Sequence, residues 1–240
     1  MAETAKILAP GKTVVLPEMK AGCPMADMIT APQLVAWKER YPGLPVVTYV
    51  NSSAEVKALT DVCCTSANAP QVVRSLGVDR VLFAPDRNLA HWVSSRVPEV
   101  EIIAWPGFCP THERITPEQV LAARAAHPDA AVMAHPECRP SVLDLADAVL
   151  STSGMLRYAA SSPAREFIVV TEEALMHGLC RAAPEKTFWT LDPPPACPNM
   201  KSTTLEKVRA AVDRLEPRVE VPEDVRRAAL AAVERMIAIG

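Results

Sequence analysis

With 240 residues, 49% of them hydrophobic and 22% charged, the chain has the apolar content for a substantial core, which excludes a disordered or fibrous class. A net charge of −3 excludes broad electrostatic attraction to nucleic acid or anionic lipid, so small molecules are the expected partners. No apolar run approaches the ~20 residues of a membrane span and the start MAETAKILAP lacks a signal-peptide pattern, so no membrane association and a cytoplasmic location are expected.

In chain order, the first apolar run is Thr13–Pro17, expected as a strand leading into the loop MKAGC that ends at Cys23. A helix is expected over Ala31–Tyr41, followed by strands over Val46–Val50, Asp61–Thr65 and Val81–Ala84 with helices between them. The run Glu101–Trp105 leads into PGFC at Cys109. The succession then recurs with a helix over Pro117–His127, capped by Thr116, and strands over Ala131–Ala134, Ala146–Ser151 and Phe167–Val170. Thr187–Leu191 leads into DPPPAC at Cys197. A final helix over Pro222–Ile239 carries an apolar stripe at Val225, Leu230, Val233, Met236 and Ile237.

Three of these runs share one plan: a short strand, a loop, then a cysteine. The intervals from Cys23 to Cys109 and from Cys109 to Cys197 are 86 and 88 residues. In the same register Tyr49 corresponds to His135, Asn51 to Glu137, Ser66 to Thr152, Asp86 to Glu172 and His91 to His177. Continuous apolar strands alternating with helices predict parallel sheets covered on both faces. The expected fold is α/β, a pseudo-threefold repeat of small three-layer α/β/α domains with the first domain mostly missing. The expected boundaries are 1–22 for a remnant of that first domain, 23–108 and 109–196 for the second and third, and 197–240 for a helical segment packing back on the first. Met1 then falls near the start of an earlier unit's last helix, with roughly 60 to 65 residues of that unit preceding it.

Seven cysteines, at 23, 63, 64, 109, 138, 180 and 197, form no CxxC pair, and an odd number in a reducing compartment argues for metal or catalysis over disulfides. Cys23, Cys109 and Cys197, in corresponding loops, suit a metal cluster with one open coordination position, because thiolates are soft ligands that favour iron–sulfur clusters or zinc. Cys63 and Cys64, in a buried strand, and Cys180, on a helix with apolar neighbours, read as core residues; Cys138 directly follows the HPE segment. The strand ends Tyr49–Val50–Asn51 and His135–Pro136–Glu137 offer a phenol and an amide against an imidazole and a carboxylate. Glu137 is the expected general base and His135 a donor or orienting group. Ser66 and Thr152 each follow a short strand and open a helix, placing hydroxyl and backbone N–H groups where an anion binds. His91, His112, His127 and His177 read as helix-surface or cap residues without a role.

The strings MAETAKIL, LPEMKAGCPMADM, YVNSSAEVKALTD, TSANA, PDRNLAHWV, HPEC, STSGM and VEVPEDVRRAALAAVERM resemble, in order and spacing, the quinolinate synthase family over the whole chain. The resemblance implies a transferase that condenses iminoaspartate with dihydroxyacetone phosphate, releasing phosphate and two waters, to give the pyridine precursor of NAD. It implies a [4Fe–4S] cluster held by Cys23, Cys109 and Cys197, and substrate contacts from Tyr49, Val50, Asn51, Ser66, His135, Pro136, Glu137 and Thr152. An L-aspartate oxidase is the implied source of iminoaspartate. Two departures stand out: Pro194 and Leu191 replace a cysteine pair that some members carry, and the family's first domain, with its histidine, tyrosine and serine, has no counterpart here. The rival readings are a non-catalytic iron–sulfur or redox-sensing module and a zinc-dependent hydrolase with Glu137 activating water.

Overall fold

The computed structural model describes residues 1–240, which form two compact units: 1–107 together with 198–240, and 108–197. In the first unit, β1 (Val46–Tyr49), β2 (Val62–Cys64), β3 (Arg80–Ala84) and β4 (Glu101–Ala104) make a parallel sheet of order β2-β1-β3-β4. In the second, β5 (Ala131–Ala134), β6 (Ala148–Val149), β7 (Glu166–Val170) and β8 (Thr187–Trp189) make another of order β6-β5-β7-β8. The chain is thus α/β, and the expected sheet strands lie within two residues of their anticipated bounds.

Side-chain alternation explains why these strands are apolar throughout. On β3, Val81 and Phe83 enter one core cluster while Leu82 and Ala84 enter another. On β7, Ile168 and Val170 face one way, Phe167 and Val169 the other. A strand buried on both faces cannot alternate with polar residues. Helix starts follow local chemistry: Thr30 and Thr116 form capping boxes with Gln33 and Gln119, and Asp86 accepts the Leu89 N–H at 2.7 Å. No helix is long and apolar enough to cross a membrane.

Two expectations need correction. Thr13–Pro17 is not a sheet strand. Val15 makes an isolated antiparallel bridge to Arg218, flanked by Leu16 N–H to Pro217 O at 3.1 Å and Val219 N–H to Val14 O at 2.8 Å. Pro17 has no N–H to extend the ladder. The last helix, Glu223–Ile239, buries Ala229, Ala232, Val233 and Met236, with Val225 and Leu230 half-buried, against the helix Ala54–Ala58 and β2; Ile237 stands 55% exposed. At 100° per residue 225, 229, 232, 233 and 236 share one face, and Ile237 lies at its edge beside Leu230. The larger exposed apolar face belongs to the helix Leu205–Arg214, through Leu205, Val208 and Val212.

Where β4 leaves the sheet, Gly107 is pinned: its carbonyl accepts the Arg87 N–H at 2.8 Å, and a Cβ there would meet Pro85 O at 2.5 Å and Met28 Cβ at 3.2 Å. Because the first obstacle is backbone, Gly107→Ala is expected to destabilise the chain by about 1–3 kcal/mol. Urea unfolding of the two proteins checks it, and an unchanged midpoint would show that the loop yields freely.

Candidate active site and metal centre

In the second unit β5 ends at Ala134, and the chain turns through His135, Pro136, Glu137 and Cys138, all four buried. His135 N–H still pairs with Val170 O at 3.1 Å, so the turn is an extension of the sheet's edge at the carboxyl ends of the strands. Beside it lies the short helix Pro110–Glu113, which follows Cys109 at its N-cap. Being one turn long, it puts His112 directly over Cys109, with Nδ1 3.2 Å from the Cys109 sulfur.

Glu137, 5% exposed, is the centre of the cluster. Its Oε2 lies 3.1 Å from His112 Nδ1 and 3.8 Å from His135 Nδ1. The two imidazoles stack with centroids 4.6 Å apart and planes 17° from parallel. His112 Nε2 lies 2.8 Å from the Thr171 hydroxyl, so with Nδ1 protonated it donates to Glu137 while Nε2 accepts from Thr171. His135 Nδ1 accepts the Glu137 backbone N–H at 3.4 Å, which leaves its proton on Nε2. Burial pushes the His135 imidazole down to about 4, against the opposing pull of the Glu137 charge. Burial by itself would raise the Glu137 carboxyl, but the hydrogen bonds from His112 and the Cys109 thiol hold it below the usual carboxylate range. Glu137 is therefore a carboxylate at neutral pH, buried at the carboxyl end of β5 with an oxygen able to accept a proton, although the donors that hold its charge also lower its basicity. The ligand atoms of Cys109, His112 and Glu137 lie within 4.8 Å of one another and could hold a metal.

Cys197 is half-buried at the end of the same unit. Its N–H donates to Glu172 Oε1 at 3.3 Å, while Glu172 Oε2 accepts from Ala174 N–H at 2.8 Å and Glu173 N–H donates to Pro195 O at 2.8 Å. Cys138 turns the other way: its thiol faces Val170 O at 3.7 Å and it packs with Ile115, Val132 and Val142 in the core. Thr152 is exposed at the first position of the helix Thr152–Ser161; the capping hydroxyl anticipated there is that of Ser151, which accepts the Gly154 N–H at 3.2 Å.

In the first unit, Tyr49 ends β1 half-buried, Val50 is buried with its N–H donating to Cys64 O at 2.8 Å, and Asn51 is half-buried in the turn that follows. Ser66 is buried within a turn closed by Thr65 and Asn68, where Asn68 Oδ1 accepts the Thr65 N–H at 2.8 Å. The helix that follows begins only at Ala69, so Asn68 occupies the cap position expected of Ser66. Cys23 is half-buried in a loop held by Asn199 Nδ2 donating to Gly22 O at 2.9 Å and by the Lys207–Glu18 ion pair at 2.6 Å.

The family model described as quinolinate synthetase A protein matches residues 1–238. The quinolinate synthase of Thermodesulfovibrio yellowstonii is 52% identical over 239 residues, covering 100% of this chain and 79% of that protein. Quinolinate synthase 1 of Methanosarcina acetivorans is 54% identical over 239 residues, covering 100% and 78%, and the quinolinate synthase of Geotalea uraniireducens is 50% identical with the same coverage. The chain belongs to the quinolinate synthase family.

Within this quinolinate synthase family member, sequence reasoning missed His112 and Thr171. Read as a cap or surface residue, His112 is 7% exposed, because with Thr111 it forms the buried side of its four-residue helix, against Glu137 and Thr171. The signal was the spacing Cys109–Pro–Thr–His112, which puts imidazole and thiol on one side of a helical turn. Cys180, read as a core residue, is exposed on the helix Leu175–Ala182.

Proposed function

We propose that the chain condenses iminoaspartate with dihydroxyacetone phosphate, with Glu137 as general base. Quinolinate synthesis in NAD biosynthesis is the activity that its family membership carries. The observation that carries the assignment of the base is the buried Glu137 carboxylate between two stacked imidazoles. Joining the substrates needs one carbon–carbon and one carbon–nitrogen bond, with phosphate and two waters leaving and protons removed from carbon as the ring becomes aromatic. Glu137 takes the proton, and His112 Nδ1–H, its ring held by the Thr171 hydroxyl at Nε2, keeps the carboxylate in place. Tyr49, Val50, Asn51, His135 and Pro136 supply the polar and apolar walls, and Ser66 and Thr152 take the carboxylate and phosphate oxygens.

Cys23, Cys109 and Cys197 are the proposed ligands of a [4Fe–4S] cluster. The donor set supports it: all three thiols are half-buried, in loops tied down by backbone hydrogen bonds, and thiolate suits iron–sulfur chemistry. Held by three cysteines, such a cluster supplies an iron with an open position, a Lewis acid toward substrate oxygen or nitrogen. The chain's composition supports a cytosolic setting, with an aspartate-oxidising enzyme delivering the unstable iminoaspartate. The mutual proximity of Cys109, His112 and Glu137 favours one other reading, a single divalent ion such as zinc on that trio.

Anaerobic purification followed by assay of quinolinate from enzymatically generated iminoaspartate and dihydroxyacetone phosphate tests the proposal. A brown protein with about four irons and matching sulfide, whose quinolinate formation disappears after iron removal by a chelator, is the expected result. A colourless protein with about one zinc and no quinolinate sinks it in favour of the mononuclear site.

A further inference from the structure

Lys57 lies on the helix Ala54–Ala58 that follows β1, and its exposure is 0%. A lysine is rarely buried, because its ammonium loses water that only well-placed acceptors replace. Here the acceptors are backbone: Nζ donates to Val50 O at 3.2 Å and to Ser52 O in a short contact. Those carbonyls flank Asn51 on either side. Three further bonds close on the same turn: Thr4 Oγ1 donates to Val50 O at 3.3 Å, Glu3 Oε2 accepts the Ala54 N–H at 2.7 Å, and Val50 N–H donates to Cys64 O at 2.8 Å. Burial pulls the Lys57 ammonium below its usual range, against the nearby Cys63 thiol and Glu3 carboxylate. A leucine or methionine would fill the same space without that desolvation, but it would take the Lys57 donor from Ser52 O and leave Val50 O with the Thr4 hydroxyl alone. The lysine therefore trades local stability for one fixed turn geometry.

We propose that Lys57 is a positioning residue for quinolinate synthesis, its buried ammonium clamping the Val50 and Ser52 carbonyls so that Asn51 is presented at a fixed place beyond β1. This rests on the reading that Asn51 contacts substrate. The clamp acts through Asn51, so its loss matters only while Asn51 is there to be misplaced.

The test is a double-mutant cycle on the full iron-loaded chain, with kcat and KM measured for the unmodified chain, Lys57→Met, Asn51→Ala and the double variant. Lys57→Met is expected to lower kcat/KM by about 10- to 100-fold, the scale of a misplacement near 1 Å, and by less than about 3-fold when Asn51 is already alanine. Iron content should be unchanged. Lys57→Gln, which keeps two N–H donors, should recover part of the loss. Equal factors on both backgrounds, or a Lys57→Met chain whose melting temperature falls while kcat/KM does not, overturn the proposal and make Lys57 structural only. An Asn51→Ala chain as active as the unmodified one removes the reading of Asn51 and the proposal with it, a result distinct from the additive outcome. If Lys57→Met does not fold, the same cycle run with Lys57→Gln decides by the same criteria.

Discussion

Replacing Glu137 by glutamine is expected to lower kcat for quinolinate formation by about 10²- to 10⁴-fold, the range over which a positioned general base acts. Iron content and melting temperature should stay close to those of the unmodified chain. The exchange keeps side-chain volume and an oxygen to accept from His112 Nδ1, 3.1 Å away, and removes the negative charge alone. At 5% exposure a neutral amide is cheaper to bury than a carboxylate, so a loss of activity would not reflect unfolding. With the carboxyl held below its usual range, the anion is the resting form throughout the neutral range. A glutamine variant with undiminished kcat would remove Glu137 from the chemistry and place the base elsewhere in the site. Loss of bound metal in that variant would instead make Glu137 a ligand, as the Cys109–His112–Glu137 trio suggests.

The strand framework under the candidate site is legible in the sequence, because apolar runs mark where parallel strands end. The apolar runs Val46–Val50 and Ala131–Ala134 locate two strands, and Tyr49–Asn51 and His135–Glu137 fall at their carboxyl ends, where a parallel sheet is expected to take a ligand. What stayed hidden depends on tertiary packing. His112 gains its role from Thr171 and Glu137, 59 and 25 residues away in sequence, and nothing local separates a histidine under a turn from one on a surface. Lys57 has the composition of a solvated helix residue, and it is buried because distant segments, Thr4 and Glu3 at its turn and the last helix against its own, close around it. Thr13–Pro17 has a strand's composition but lacks a neighbouring sheet strand, so it pairs with 217–219 instead. The cap at Ser151 in place of Thr152 is a one-residue offset, which sequence pattern alone rarely resolves.

Serine substitution of the seven cysteines one at a time should split them into two groups. Cys23→Ser, Cys109→Ser and Cys197→Ser are each expected to lose most of the iron and all measurable quinolinate formation, since a hydroxyl is a poor ligand for iron–sulfur clusters. The other four should retain both. Burial pushes the Cys63 thiol up to about 12 and the Cys64 thiol well above its usual range, so neither supplies a thiolate near neutral pH. The Cys138 thiol is committed to Val170 O and the core around it, and Cys180 is exposed on the helix Leu175–Ala182. Serine at the buried positions 63, 64 and 138 should cost stability, by about 1–3 kcal/mol where the hydroxyl finds no partner, without removing iron from the folded fraction. Iron and sulfide per folded chain, read with the visible spectrum, separates the two kinds of loss. The informative failure is a Cys23→Ser chain that keeps its metal while Cys109→Ser and His112→Ala lose it. That pattern would confine the metal to the Cys109–His112–Glu137 trio of the second unit and reassign the centre from a three-cysteine cluster to a mononuclear ion.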